Sequence, residues 1–208
     1  MRAWVRPLAA LLFTTTALAG LAGCSQPTPT TGPTSGAGYQ AGDGSFTLWK
    51  PDERGAAVTV AGQDLAGQGV DSSQWSGEVT VVNFWYASCP PCRAEAPDLV
   101  DLAAKYPQVH FVGVNPRDDK AAAAAFEESF AVTYPTILDP DARIVGSFQG
   151  VVPLQAMPTT VVLDGQGRPA ARILGRIDPS ILAGLIDDAL AEVGGSASPA
   201  APSTESTP

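Results

Sequence analysis

The segment GEVTVVNFWY, residues 77–86, constrains the fold more than any other part of the chain. It holds a continuous apolar run rather than an alternation of apolar and polar residues, which is typical of a strand in the middle of a sheet. Because such a strand is apolar on both faces, both faces have to be covered. We therefore expect helices on either side of it.

The remaining segments alternate between strand-like and helix-like patterns. Alternation of this kind predicts parallel strands joined by right-handed crossovers. The GQG turn at residues 165–167 predicts a final antiparallel hairpin at the sheet edge. The sequence thus predicts an α/β fold with a central mixed sheet flanked by helices. The predicted strands are 56–62, 77–86, 109–115, 135–139, 158–164 and 169–176, and the predicted helices are 90–106, 118–132, 142–150 and 178–193.

The N-terminus has the pattern of an export signal. Arg2 and Arg6 precede an apolar stretch that ends in small residues, and the stretch is short for a transmembrane helix of about 20 residues. LAGC, residues 21–24, resembles the lipobox of bacterial lipoproteins. This implies that residues 1–23 are a removed lipoprotein signal peptide and that Cys24 is lipidated; an ordinary signal peptide with a chance cysteine is the alternative.

Two further segments are rich in Ser, Thr, Pro and Gly. Residues 24–45 and 194–208 bury too little apolar surface to order themselves, so we predict a disordered tether and a disordered tail around one domain at 46–193. The net charge of −9 argues against a nucleic-acid partner. Without residues 1–23 the charge is 10 − 21 = −11.

Cys89 and Cys92 are the two cysteines left for chemistry if Cys24 is lipidated. A structural zinc site needs four ligands, and the single histidine, His110, lies in a predicted strand. A purely structural disulfide between these positions closes a very short loop and removes little unfolded-chain entropy. A redox pair is therefore the favoured interpretation, with no cofactor and no metal.

The pair also lies where a strand gives way to a helix. Cys89 is at the predicted N-cap, and Pro90 and Pro91 occupy the first turn, where a missing N–H does no harm. The unpaired amides and positive end of the helix favour a thiolate. We expect an exposed nucleophile at Cys89 and a shielded resolving thiol at Cys92.

The stretch VVNFWYASCPPCRAEAPDL, residues 81–99, together with MPTT at 157–160, resembles the TlpA/ResA-like thiol-disulfide oxidoreductases of the thioredoxin superfamily. The resemblance covers residues 46–193. It implies a thioredoxin-like fold carrying a helix-strand insertion, which corresponds to residues 115–140.

The resemblance also implies roles for individual residues. Pro158 corresponds to a cis-proline opposite the cysteines, and it exposes the backbone of Met157 for pairing with substrate. Trp85 corresponds to an aromatic residue packed beside the thiols, where substrate is bound, and Pro97 to a proline that bends the first helix.

Glu95 follows Cys92 by one helical turn, at a position where the ResA-like branch carries a glutamate. If it is partly buried with a raised pKa, it relays a proton to or from Cys92; a solvated helix acid is the alternative. Asn83 stands where thioredoxins place a buried aspartate, and it cannot titrate. Ser88 replaces a second tryptophan and leaves the rim open and polar.

Relatives of this type act as extracytoplasmic reductants, which implies client disulfides such as those of apocytochrome c as partners. Electrons are expected from a membrane transporter of the CcdA/DsbD kind, and the lipid anchor implies attachment to the cell membrane. An oxidising or general folding exchanger and a non-catalytic client-binding module are the alternatives. A peroxidase is disfavoured, because its peroxidatic and resolving cysteines lie further apart.

Overall fold

The computed structural model describes residues 39–40, 45–153 and 156–196. The predicted signal peptide, the predicted lipidation site Cys24, most of the predicted tether and most of the predicted tail lie outside these residues. The Thr34–Pro208 part of the chain forms one compact unit. No helix in the described part is long and apolar enough to cross a membrane.

Among the residues described, seven strands form a central mixed sheet in the order β1-β2-β9-β8-β5-β6-β7. β5, β6 and β7 run parallel, while β1, β2, β8 and β9 pair antiparallel. The predicted parallel strands and the predicted antiparallel hairpin are confirmed. The expected position of the hairpin at the sheet edge is wrong, because β9 also pairs with β2 and β8 with β5. The strands are β1 (Tyr39–Gln40), β2 (Phe46–Leu48), β5 (Thr80–Phe84), β6 (His110–Asn115), β7 (Thr136–Leu138), β8 (Thr159–Leu163) and β9 (Pro169–Leu174), and a separate ribbon contains β3 (Ala61–Gln63) and β4 (Gly69–Asp71).

In the described part of the chain, four α-helices pack around the sheet. Helix α1 spans Pro90–Lys105, α2 spans Lys120–Phe130, α3 spans Arg143–Ser147 and α4 spans Pro179–Ser196. One core cluster joins α1 and α4 to one face of the sheet, and a second joins α3 to the other face. The prediction that both faces are covered is confirmed.

The two-residue period of β5 divides its side chains between these clusters. Val81 packs with α1 and α4, whereas Val82 and Phe84 pack with α3. Asn83 has the same parity as Val81 and therefore points toward the α1 side of the sheet. All five residues of β5 are buried, which accounts for the continuous apolar run.

The N-terminal part of the domain differs from the prediction. Residues 56–62 were expected to form a strand, but only Ala61–Gln63 is strand, and it pairs with β4 outside the main sheet. Val58 N bonds instead to the Gly167 carbonyl, and Val60 N bonds to the Ser72 hydroxyl. These bonds go to the turn between β8 and β9 and to the residue after β4, so residues 56–60 join no strand of the main sheet.

Most predicted boundaries shift by one to three residues, and β5 and α2 are each shorter than predicted. Tyr39–Gln40 pairs with β2, so these two residues of the segment predicted to be a tether are part of the sheet. Helix α4 continues to Ser196, beyond the predicted end at 193. Helix α3 ends at Ser147 rather than at Gly150, whose φ of 83° belongs to the following turn.

Candidate active site

The junction between β5 and α1 holds the cysteine pair. Cys89 is the N-cap of α1, with extended backbone angles, and its Sγ accepts a hydrogen bond from Cys92 N at 3.2 Å. Pro90 and Pro91 occupy the first two helical positions, where no backbone donor is needed. Cys89 and Cys92 form a disulfide with a Cα–Cα distance of 5.2 Å.

The exposure expected for Cys89 is wrong for this oxidised state. Cys89 is 1% exposed and Cys92 is fully buried. The Met157 carbonyl oxygen lies 3.8 Å from Cys89 Sγ, and Trp85 and Phe126 belong to the same buried cluster as the two cysteines. The N-cap position fixes the backbone of the first cysteine, but groups distant in sequence determine whether its sulfur reaches solvent.

The loop opposite the disulfide contains the predicted cis-proline. The Met157–Pro158 peptide bond is cis, Pro158 is buried and Met157 is partly exposed. Gly175 N donates to the Pro158 carbonyl at 2.8 Å, which fixes the loop to the end of β9. This arrangement leaves the Met157 carbonyl directed at the cysteine pair.

Trp85 lies beneath the site. It is 3% exposed, stacks on Phe126 with ring centroids 4.1 Å apart and belongs to the same cluster as both cysteines. Packing beside the thiols is therefore confirmed, while contact between Trp85 and a client stays a prediction. Ser88, in contrast, is exposed on the rim.

Glu95 is fully buried, so the alternative of a solvated helix acid is wrong. Its Oε1 accepts from Asn83 Nδ2 at 2.8 Å, and its Oε2 accepts from Ile177 N at 2.9 Å. Asn83 Nδ2 also donates to Thr160 Oγ1 at 3.0 Å. Burial raises the pKa of Glu95 from 4.5 to about 7, and the two hydrogen bonds oppose that rise.

Helical geometry places Glu95 on the same side of α1 as Cys92, because the two are three residues apart. The carboxyl group is therefore a buried titratable group on the face that holds the second cysteine. Near neutral pH it exists in both protonation states, which suits proton transfer.

Some contributors to the site were not predicted from the sequence. These are Thr160 and the Ile177 amide around Glu95, and Asp118, whose Oδ2 accepts from Ala87 N at 2.5 Å and from Asn115 Nδ2 at 2.8 Å. The burial of Glu95 had a sequence signal, since it falls within the buried face formed by Cys92, Ala96 and Leu99.

The predicted bend at Pro97 stays a prediction, although Pro97 does lie inside α1. His110 stacks on Trp75 with ring centroids 4.1 Å apart and contacts the Glu78 carboxylate. Within the described residues, no group of three or more His, Cys, Asp and Glu side chains is arranged to hold a metal ion.

The sheet is mixed, a disulfide-linked CxxC pair caps α1, and a cis-proline loop lies beside that pair. This combination defines the class of thioredoxin-like thiol-disulfide oxidoreductases. The profile of the AhpC/TSA family matches residues 54–169 of this chain. That stretch is more than half of the 208 residues, and the chain belongs to the AhpC/TSA family.

Curated relatives carry names of the same class. Thiol-disulfide oxidoreductase ResA of Halalkalibacterium halodurans is 26% identical over 113 residues, which are 53% of this chain and 62% of ResA. The chain thus spans less than two thirds of that relative. Thiol:disulfide interchange protein HelX of Rhodobacter capsulatus is 28% identical over 160 residues, which are 72% of this chain and 88% of HelX.

Among solved structures, a secreted thiol-disulfide isomerase from Corynebacterium glutamicum is similar to this chain, with a TM-score of 0.64 and 30% identity. The alignment covers 76% of this chain and 99% of the isomerase. The similarity therefore extends over the whole of that domain.

Proposed function

We propose that this protein is a membrane-anchored, extracytoplasmic thiol-disulfide oxidoreductase that reduces disulfides of exported clients, such as apocytochrome c during cytochrome c maturation. The observation that carries the proposal is the disulfide-linked CxxC pair that caps α1 against the Met157 carbonyl. The names of the relatives support the chemistry, and the resemblance to the TlpA/ResA-like branch supports the choice of client.

The reaction begins with the reduced pair. The Cys89 thiolate, favoured by the helix N-terminus, attacks one sulfur of the client disulfide, and the other client sulfur leaves as a thiolate. Cys92 then loses its proton and attacks Cys89 Sγ. The Cys89–Cys92 disulfide forms, the second client thiolate leaves, and two electrons have passed from the protein to the client, whose thiolates take up two protons.

Glu95 has a defined place in this cycle. Its buried carboxylate accepts the proton of Cys92 before the second attack and returns it when the pair is reduced again. Reduction of the Cys89–Cys92 disulfide by a dithiol of a CcdA/DsbD-type membrane transporter completes the cycle.

The backbone beside the disulfide supplies a binding element for the client. The Met157 carbonyl accepts a hydrogen bond from an extended client strand, as in other cases of strand addition. Pro158 and its bond from Gly175 N keep that carbonyl in position.

Trapping of the mixed disulfide tests the proposal. Purified Cys92→Ser protein is reduced and mixed with oxidised apocytochrome c peptide, and mass spectrometry should find a covalent adduct at Cys89. Cys89→Ser should give neither adduct nor turnover. Wild-type turnover by Cys89→Ser would contradict the scheme.

The direction of electron flow is tested by the reduction potential of the pair. A value near or below about −270 mV, the potential of thioredoxin, is expected for a reductant, whereas a value near −120 mV indicates an oxidant.

The second candidate, an oxidising or isomerising exchanger, is favoured by the similarity to a secreted isomerase. The remaining alternative is a non-catalytic client-binding module. In that case the Cys89→Ser/Cys92→Ser variant should still complement a deletion of the wild-type gene.

The anchor is proposed from residues 21–24. Lipidation of Cys24 would hold the domain at the outer face of the cell membrane, with the following segment as a tether. Metabolic labelling with a fatty acid should mark the wild type but not Cys24→Ser. Equal labelling of both would remove the anchor from the proposal.

A further inference from the structure

The rim around the cysteine pair carries two arginines held over aromatic rings. The guanidinium carbon of Arg93 lies 5.0 Å from the ring centroid of Phe130, and that of Arg117 lies 4.6 Å from the ring centroid of Tyr86. Both arginines are exposed, while both rings are partly buried. A ring beneath a guanidinium holds the cation in place and leaves its N–H edges directed outward.

Both arginines lie close to the reactive turn. Arg93 follows Cys92 directly, and its Nη1 donates to the Ala87 carbonyl at 3.2 Å. Arg117 lies over Tyr86, the residue next to Ala87. The two cations are thus attached to the stretch that leads into Cys89.

The carboxylates near these arginines are already occupied. Asp118 accepts from Ala87 N and from Asn115, Asp119 caps α2 through Ala122 N at 2.8 Å, and Asp98 pairs with Arg176 at 3.3 Å. Across residues 45–153 and 156–196, neither Arg93 nor Arg117 forms an ion pair. Both guanidinium groups therefore keep N–H donors that the carboxylate of a client can accept from.

We propose that Arg93 and Arg117 form a carboxylate-recognition pair that selects clients with acidic side chains beside the disulfide to be reduced. Guanidinium groups match carboxylates in geometry, and rim charges chiefly affect specificity and association rate. The net charge of −9 does not remove this preference, because screening over about 8 Å at physiological salt limits the effect to charges near the rim.

This inference rests on the proposed function and names its substrate class. Arg117 and Phe130 both belong to the segment 115–140, so the insertion supplies one arginine and the ring under the other. The residues that determine client preference are therefore distinct from those that take part in the exchange reaction.

The test uses two synthetic peptides that each contain one intramolecular disulfide. They differ only in the residues that flank it, two glutamates in one and two lysines in the other. The reduced full chain is mixed with each peptide, and the rate of peptide reduction in a single turnover is measured by acid quench and mass spectrometry. We expect the acidic peptide to be reduced roughly three- to tenfold faster at physiological salt, the range that exposed charge pairs provide, with a smaller ratio at about 1 M salt.

The ratio of the two rates identifies the role of the arginines. In Arg93→Gln/Arg117→Gln it should fall to about one or below, because any change in Cys89 reactivity affects both peptides alike. Lys105→Gln is the matched control: Lys105 is also an exposed cation near an aromatic ring, but twelve residues along α1 place it about 18 Å away. It should retain the wild-type ratio.

The remaining outcomes separate this inference from the proposed function. Equal rates for both peptides, a preference for the lysine peptide, or a preference that persists in the double variant would overturn the inference while leaving thiol-disulfide exchange intact. Failure of the wild type to reduce either peptide would overturn both.

Discussion

Among single residues, Glu95 has the most unusual environment for its side chain, because its carboxyl group is buried in the protein interior. A carboxylate is normally solvated, yet this one is fully buried and is served by two donors, the Asn83 amide and the Ile177 N–H. Burial raises its pKa to about 7, and the donors limit the rise. Asn83 cannot titrate, and it acts on Glu95 by donating this hydrogen bond to the carboxylate.

The raised pKa of Glu95 predicts how stability depends on pH. The folded protein holds this proton up to about pH 7, whereas the unfolded chain releases it near pH 4.5. Between these values the native state binds more protons, so the free energy of unfolding falls as pH rises. Glu95→Gln removes this dependence, and the variant should gain about 3 kcal/mol relative to wild type between pH 4.5 and 8.

Urea unfolding of the oxidised protein at a series of pH values measures this difference. Asp101→Asn is the control, because Asp101 is an exposed acid on the same helix. A pH-independent difference between wild type and Glu95→Gln would show that Glu95 has no raised pKa.

At the scale of elements, the close approach of β6 to its neighbours depends on Gly113. A Cβ at this position would lie 2.5 Å from Thr136 Oγ1 on β7 and 2.7 Å from Trp85 Nε1 beneath the cysteines. Gly113 thus lets the edge strand and the tryptophan under the active site pack against the same point of β6.

Gly113→Ala should destabilise the protein by about 2 kcal/mol, because the added methyl group has to displace Thr136 or Trp85. It should also change the tryptophan fluorescence and the rate of exchange. Gly184→Ala is the matched control: this glycine lies exposed within α4 with open space around it, so the variant should gain about 0.5–1 kcal/mol. Denaturant unfolding of both variants checks the two signs, and a neutral Gly113→Ala would contradict the packing described.

The elements also show how far the sequence determines the structure. Continuous apolar runs and capping residues were sufficient for β5, β6, β8, α1 and α2, because these signals are local. The two- and three-residue strands β1, β2 and β4 have no such run. β2 pairs with the distant β9, whereas β1 and β4 pair with the short neighbouring strands β2 and β3. Likewise, Asn83 and Met157 approach Glu95 and Cys89 across 12 and 68 residues, so their contacts depend on the packed fold.

At the scale of the whole molecule, Arg54 connects three parts of the chain. Its Nη1 donates to Asp164 at 2.9 Å and to Glu192 at 2.6 Å, and its Nε donates to the Trp49 carbonyl at 3.2 Å. The segment before β3, the β8–β9 hairpin and α4 are thereby joined at the end of β8. The side chains of Arg54 and Asp164 are 2% and 5% exposed, so this ion pair is shielded from water, whereas Glu192 is 37% exposed.

Arg54→Ala should lower the free energy of unfolding by about 2–3 kcal/mol, because it leaves the buried Asp164 with fewer partners. Lys50→Ala is the comparison, since Lys50 pairs with Glu53 on the surface with 64% of its side chain exposed, and such pairs contribute about 0–1 kcal/mol. Thermal unfolding of both variants measures the difference. Equal effects would show that the Arg54 network contributes no more than a surface pair.

The central claim is that the position of Cys89 at the start of α1 makes it an acidic, reachable thiol once the disulfide is reduced. Iodoacetamide alkylation of the reduced protein across pH, with the labelled cysteine located by mass spectrometry, measures this directly. We expect labelling at Cys89 with a pKa at least one unit below the free-cysteine value of about 8.5. A pKa at or above that value, or labelling confined to Cys92, would contradict the account.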